Sequence, residues 1–261
     1  MKTQTDPEKF YKYRSMRGDA LHRVEQIVLQ NELYFAPARG FNDPFDMRPT
    51  LSFEASHETR LNDCMRLVRE RRPELTPEQM NAMAQELVSA TFSPAKINEM
   101  TSAMHTQITH MLTEQVGVFC VSSKRDDILM WSHYADSHSG ICLEFDQGCP
   151  LMMQAQKVIY SNIRSPINRY TDDHLAMAEK ALLTKSVHWK YEAEWRSLRL
   201  DEGPGVVKFL PEHLTSIIIG DRASQPTVDK VNEWTGKRPT PWTVYRASVS
   251  KDRFALEITP A

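Results

Sequence analysis

The sequence predicts an α+β protein in which a mixed β-sheet core is flanked by helices and carries a helical insertion at about 57–115. Strand-like runs dominate the second half without alternating strictly with long helices, which disfavours a doubly wound parallel sheet. The first half holds a long stretch of helical periodicity with clear helix-start signals. No Gly/Ser/Pro-rich linker, internal repeat or low-complexity tract interrupts the chain, so residues 1–261 are expected to form a single α+β domain. A chain of 261 residues can bury a core without covalent staples.

The elements follow in order. Phe10 to Arg14 alternates aromatic and basic residues with period two, as a half-buried strand does. Asp19 is expected to cap a helix whose apolar face is Leu21, Val24, Ile27 and Val28. Leu33 to Ala36 reads as a short strand, and Pro37, Gly40 and Asn42-Asp43-Pro44 make a loop closing on Phe45. From about His57 to Gln115 the pattern is helical. Thr76-Pro77-Glu78-Gln79 is a capping box with proline at the first helical position, and Ser93-Pro94 repeats the signal. Met80, Met83, Leu87, Met100, Met104 and Met111 read as core filler on these helices.

Val116 to Ser122 reads as an apolar strand, Asp127 to Asp136 as a short helix, Gly140 to Phe145 as a strand and Lys157 to Tyr160 as another. Thr171 is expected to cap a helix reaching about Leu183. Further strands are expected at Trp195 to Leu200, Val206 to Phe209, Ser216 to Ile219, Thr243 to Ala247 and Phe254 to Ile258.

Composition narrows the functional classes. Lys plus Arg (32) nearly balance Asp plus Glu (34), for a formal charge of -2, so no broad polyanion-binding face is advertised. Met1 to Phe10 is polar and no run approaches the apolar length that spans a bilayer, which predicts a cytoplasmic protein without membrane partners. Cys64, Cys120, Cys142 and Cys149 show no CxxC spacing and read as reduced, mostly buried residues. No Gly-x-Ser-x-Gly elbow and no dinucleotide fingerprint appears, so a serine hydrolase and a recycled redox cofactor are both disfavoured.

Four segments are chemically dense: Tyr11-Lys12-Tyr13-Arg14, Asn42-Asp43-Pro44-Phe45-Asp46, Ser122 to Glu144, and Trp189 to Arg196. Brought together by strand ends, they would line one cleft with cations, hydroxyls, aromatic faces and the paired carboxylates of Glu192 and Glu194. Plainer readings compete. The two acids also suit salt bridges to Arg196 or Lys190 on a solvated face. Tyr11 to Arg14 also suits an edge strand, Asn42 to Asp46 an Asx-type turn, and Trp131 and Tyr134 core aromatics. His133, Asp136 and His138 invite a metal-dependent hydrolase or nuclease reading, but they lack the His-x-x-x-His register of a zincin. No metal is therefore expected, and His138 is placed near the ligand instead.

These motifs together resemble a bacterial domain-of-unknown-function family marked by Tyr-Lys-Tyr-Arg, Asn-Asp-Pro-Phe-Asp, Met-Trp-Ser-His-Tyr-Ala and Trp-x-x-Glu-x-Glu-Trp-Arg, matched here from Tyr11 to about Gly220. More distantly, Arg14, Ser122-Ser123 and Glu192-Ala193-Glu194 fall in the order found in mono-ADP-ribosyltransferases of the Arg-Ser-Glu kind. That resemblance implies a strongly twisted, ADP-ribosyltransferase-like mixed sheet. It also implies NAD as a consumed substrate, and ADP-ribose transfer to a protein, nucleic-acid or small-molecule acceptor. Bacterial enzymes of this kind act as toxins or in phage defence.

On this reading Glu194 stabilises the oxocarbenium-like sugar, Glu192 positions or deprotonates the acceptor, and Arg14 holds a phosphate or the ribose. Ser122, with Ser123 beside it, supports the carboxylate, while Tyr13, Trp131 or Tyr134 stacks on a ring. Lys12, Asn42, Asp46 and His138 complete the expected ligand contacts. The remaining alternative is a non-catalytic module that senses a nucleotide or contacts a partner through the same residues.

Overall fold

The computed structural model describes residues 6–91 and 94–261. In chain order the elements are β1 Lys9–Arg14, α1 Asp19–Gln30, β2 Glu32–Pro37, β3 Leu51–Ser52, α2 His57–Arg71, α3 Pro77–Thr91 and α4 Pro94–His110. β4 Gly117–Ser122, α5 Ile128–Tyr134, β5 Ile141–Asp146, α6 Pro150–Met153, β6 Gln156–Lys157, β7 Ile159–Ser161, β8 Ile167–Asn168 and α7 His174–Ala178 follow. The chain ends with β9 Thr184–Ser186, β10 Glu194–Arg199, β11 Gly205–Lys208, β12 Leu214–Ile219, α8 Gln225–Lys237, β13 Thr243–Val249 and β14 Leu256–Pro260. This is a mixed α+β protein, and among the described residues no helix is long and apolar enough to cross a membrane.

The chain divides into two compact units, one holding the residues up to Asn42, Glu114–Asn162 and Lys185–Ala261, the other Asp43–Thr113 and Ile163–Thr184. The first unit is built on a ten-stranded sheet ordered β11-β2-β4-β1-β5-β12-β13-β14, with β10 against β4 and β6 against β10. β12 and β13 run parallel, whereas the pairs β1–β5, β4–β10 and β5–β12 are antiparallel.

Strand alternation sorts the side chains onto two faces. On one face Phe10, Ile141, Leu143, Phe145, Ile217 and Ile219 pack under α1 (Val24, Ile27, Val28) and α8 (Val231, Trp234). On the other, Tyr11, Tyr13, Cys142, Ile218 and Ala247 pack against α5 (Met130, Trp131).

Two glycines permit close backbone approach. A Cβ on Gly140 would strike the carbonyl of Arg14, and one on Gly220 would strike that of His138.

The sheet has a gap where β1 and β2 both adjoin β4. Val118 of β4 is in register with Ala36 of β2, and Ser122 with Tyr11 of β1. Cys120, between them, gives its carbonyl to the Lys12 ammonium at 2.5 Å. A side chain thus satisfies a strand carbonyl where two neighbouring strands part.

The second unit is chiefly helical. Cys64 and Val68 of α2 pack against Met80, Ala84 and Val88 of α3. The expected capping box is present, with Thr76 N–H donating to Gln79 Oε1 (2.9 Å) and Gln79 N–H donating to Thr76 Oγ1 (3.3 Å). The expected cap at Ser93 lies outside the described residues. Met80 is buried, but Leu87 and Met111 are exposed, so the apolar stripe is narrower than periodicity suggests.

Four further expectations are corrected. Gly18, at φ 52°, takes the N-cap position of α1, which leaves Asp19 in the first turn, where its charge favours the helix N-terminus. Asp173, not Thr171, caps α7, because Asn168 closes an Asx turn on Tyr170 (2.9 Å) and delays the helix start. The expected strand from Lys157 to Tyr160 is split into β6 and β7 around the buried Val158. Phe254, expected to begin the final strand, is fully exposed ahead of it.

Candidate functional site

The paired acids sit at the junction of a 3₁₀ turn, Val187–Glu192, with β10. Glu192 ends the turn, Ala193 adopts the left-handed conformation (φ 43°, ψ 48°), and Glu194 opens the strand in register with Ser122. The reversal at Ala193 turns both carboxylates toward one lysine. Lys185, on β9, lies 2.5 Å from Glu192 Oε2 and 2.9 Å from Glu194 Oε2.

The remaining carboxylate oxygens are also occupied. Arg196 Nε donates to Glu194 Oε1 (2.8 Å) and its Nη2 to Oε2 (3.0 Å). Tyr134 donates to Glu192 Oε1 (2.5 Å) and accepts from Asn42 (3.2 Å). Glu192, Glu194 and Lys185 are 4–6% exposed and Arg196 is fully buried, so this is a desolvated ion network and not a solvated surface pair.

Its electrostatics separate the two acids. Burial pushes the Glu192 carboxyl up and the adjacent Glu194 charge adds to this, against the pull of Lys185. Burial acts on Glu194 in the same sense, but Arg196 and Lys185 outweigh it and hold that carboxyl well below the usual range. Because they share Lys185, the two acids titrate as a coupled pair.

The serines act on backbone. Ser122 Oγ donates to the carbonyl of Glu192 (2.6 Å) and Ser123 Oγ to that of Ala193 (3.3 Å). They fix the loop carrying the acids; the expected contact from Ser122 to a carboxylate is not made.

Beside the network runs a row of half-exposed rings. Trp189 and Tyr191 have centroids 6.1 Å apart, and Tyr191 and His133 5.9 Å. His133 approaches Tyr134 at 6.4 Å, and Lys185 Nζ lies 5.2 Å from the Trp189 ring. Of the expected stacking residues, Tyr134 lies beside this row, whereas Trp131 and Tyr13 do not. Trp131 is fully buried, edge-on to Tyr13 at 5.2 Å, with its Nε1 donating to the Arg125 carbonyl (2.9 Å). Tyr13 is buried too and donates to the Lys124 carbonyl (2.8 Å). Both are core.

Arg14 does not join the acids. It is in register with Ile141, on the face shared by Phe10 and Leu143, whereas Glu194, Ser122 and Tyr11 lie on the opposite, α5 face. Its electrostatic neighbours are Arg23 of α1 and Cys120.

Of the other expected residues, Asn42 reaches the network through Tyr134, and Asp46 is buried in the second unit. His138 lies in a left-handed run with Asp136 and Ser137, where burial and Arg222 push its imidazole pKa down. Asp136 pairs with Arg17 (2.6 Å) and His133 with Tyr191, and among the described residues no group of three His, Cys, Asp or Glu is placed to hold a metal ion.

Sequence reasoning missed Lys185 and gave Arg196, Trp189 and Tyr191 no site role. A lysine framed by Leu182-Leu183 and Val187 was the available signal for a buried cation.

A family model described as "Protein of unknown function (DUF2971)" matches residues 130–197. That span covers α5 from Met130 onward, Lys185, the ring row and both acids. No curated protein and no solved structure matches the chain.

Proposed function

We propose that the first unit binds a small nucleotide-like ligand against the ring row formed by Trp189, Tyr191 and His133. The observation that carries this reading is a set of half-exposed rings whose supporting turn is locked from beneath. Glu192 anchors the turn through Lys185 and Tyr134, and Ser122 and Ser123 anchor its backbone. Rigid aromatic faces bind planar rings with little entropy lost on association, and Lys190, exposed on the same turn, offers positive charge to a phosphate. On this reading the ion network is a support.

A second reading, NAD cleavage with transfer of ADP-ribose, draws on the split between the two acids. Environments that drive paired carboxyls apart mark acid–base pairs. The bond between ribose C1′ and the nicotinamide nitrogen breaks, nicotinamide leaves with the bonding electrons, and ionised Glu194 faces the positive sugar. Glu192, with its raised proton affinity, takes the proton from the acceptor as the acceptor attacks C1′. Arg14 has no part in this version. Two facts favour the binding reading: each carboxylate oxygen already has a protein partner, and the expected arginine lies on the other face of the sheet.

The readings are separated by incubating the chain with NAD plus protein, nucleic-acid or small-molecule acceptors, following nicotinamide release alongside thermal denaturation. Binding alone gives a higher Tm with no release. Transfer gives release that falls by roughly 100-fold or more in Glu192→Gln. Neither stabilisation nor release by NAD, ADP or AMP removes both.

A further inference from the structure

We propose that Lys12, Arg14 and Arg23 form a binding site for a phosphate group on the α1 side of the sheet, separate from the ring row. Lys12 and Arg14 alternate on the face of β1 that α1 covers, in register with Leu143 and Ile141. They stand where β1 and β2 part along β4. Lys12 has spent one donor on the Cys120 carbonyl and lies 4.8 Å from the Phe119 ring. The Arg14 Nε is closed off from solvent and has no hydrogen-bond partner among the described residues. Arg23 projects from α1 into solvent with its guanidinium 5.7 Å from the Tyr34 ring.

Among the described residues, none of the three cations pairs with a carboxylate, in contrast to Lys185 and Arg196 in the same unit. Burial and the nearby Arg23 pull Arg14 down to about 10, and burial with Arg14 pulls Lys12 down to about 8 against the weaker opposing charges of Glu194 and Glu192. Partly desolvated like charges held together oppose folding, and such an arrangement is relieved when an anion enters. A phosphate suits it by charge and by shape. A guanidinium fork takes two oxygens, and a lysine with unused donors takes a third.

The site is tested by thermal denaturation and calorimetric titration of the full chain with inorganic phosphate, ADP and adenosine, with ionic strength matched by sodium chloride. Phosphate should raise the Tm of the wild type where chloride does not. Arg14→Met should fold with an unchanged or higher Tm, lose the phosphate response, and weaken Kd about tenfold or more. Arg23→Gln, on the exposed surface of α1, serves as a second variant and should weaken binding in the same direction. ADP binding far tighter than phosphate, with adenosine inert, identifies the source as a nucleotide; equal affinities identify free phosphate.

Trp189→Phe should leave the phosphate response intact, so the site stands or falls apart from the ring row. An Arg14→Met protein that responds as wild type does, or a wild type whose Tm neither phosphate nor ADP changes at matched ionic strength, overturns the proposal.

Discussion

Lys185 holds the two acids in place, and the consequences differ for each. Glu194 shares its oxygens between Lys185 and the fully buried Arg196, so Glu194→Gln leaves buried positive charge without its counter-ion. Breaking a pair of this kind costs about 3–5 kcal/mol, and urea denaturation at neutral pH should show a loss of that size. The variant cannot therefore be read as a clean catalytic knockout.

Glu192 behaves in the opposite way. Its carboxyl pKa is raised, so between the unfolded value of about 4.5 and its folded value the native state carries a proton that the unfolded chain lacks. Wild-type stability relative to Glu192→Gln should therefore fall as pH rises through that window. The Glu194 contribution is present above its unfolded value and is lost only when the pH falls well below the usual carboxylate range. Titration of the variants against wild type from acid to neutral pH checks both signs.

The acids themselves were legible in the sequence as Glu-x-Glu. Their partner was not, because a lone lysine carries no spacing signal and its burial is decided by strands far away in sequence.

At the scale of elements, the 3₁₀ turn from Val187 to Glu192 presents the rings, and the left-handed Ala193 ends it. A left-handed non-glycine residue costs roughly 1–2 kcal/mol, partly offset by glycine's greater freedom when unfolded, so Ala193→Gly should be neutral or stabilising by up to about 1 kcal/mol. A measured loss would mean that the Ala193 methyl makes contacts that matter. Asp127 accepts from the backbone of Leu129 (3.0 Å) and Met130 (3.2 Å) at the start of α5, and Asp127→Ala should cost about 1–2 kcal/mol in denaturant melts. Caps and strands that announce themselves locally were read correctly, as at Thr76 and at Val116 to Ser122. The caps at Asp19 and Thr171 were misplaced by one or two residues, because Gly18 and the Asn168 turn compete locally for the same backbone groups.

For the whole molecule, alternation along β1 was enough to predict a strand, but not which face would meet which helix. That depends on the pairing of β1 with β4 and β5, and it is this pairing that sends Arg14 away from Glu194. The motif order Arg…Ser-Ser…Glu-x-Glu carried no information about faces. Likewise, the sequence offered an insertion at about 57–115, whereas the second unit also takes in residues 163–184, which only long-range packing brings there.

The functional reading rests on the rings of the 187–192 turn forming a ligand platform. Its most direct test is titration with NAD followed by intrinsic tryptophan fluorescence, comparing wild type with Trp189→Phe. The platform predicts a saturable change in the wild type that is lost or strongly reduced in the variant while the fold is retained. No saturable change, or the same change in both proteins, would contradict it.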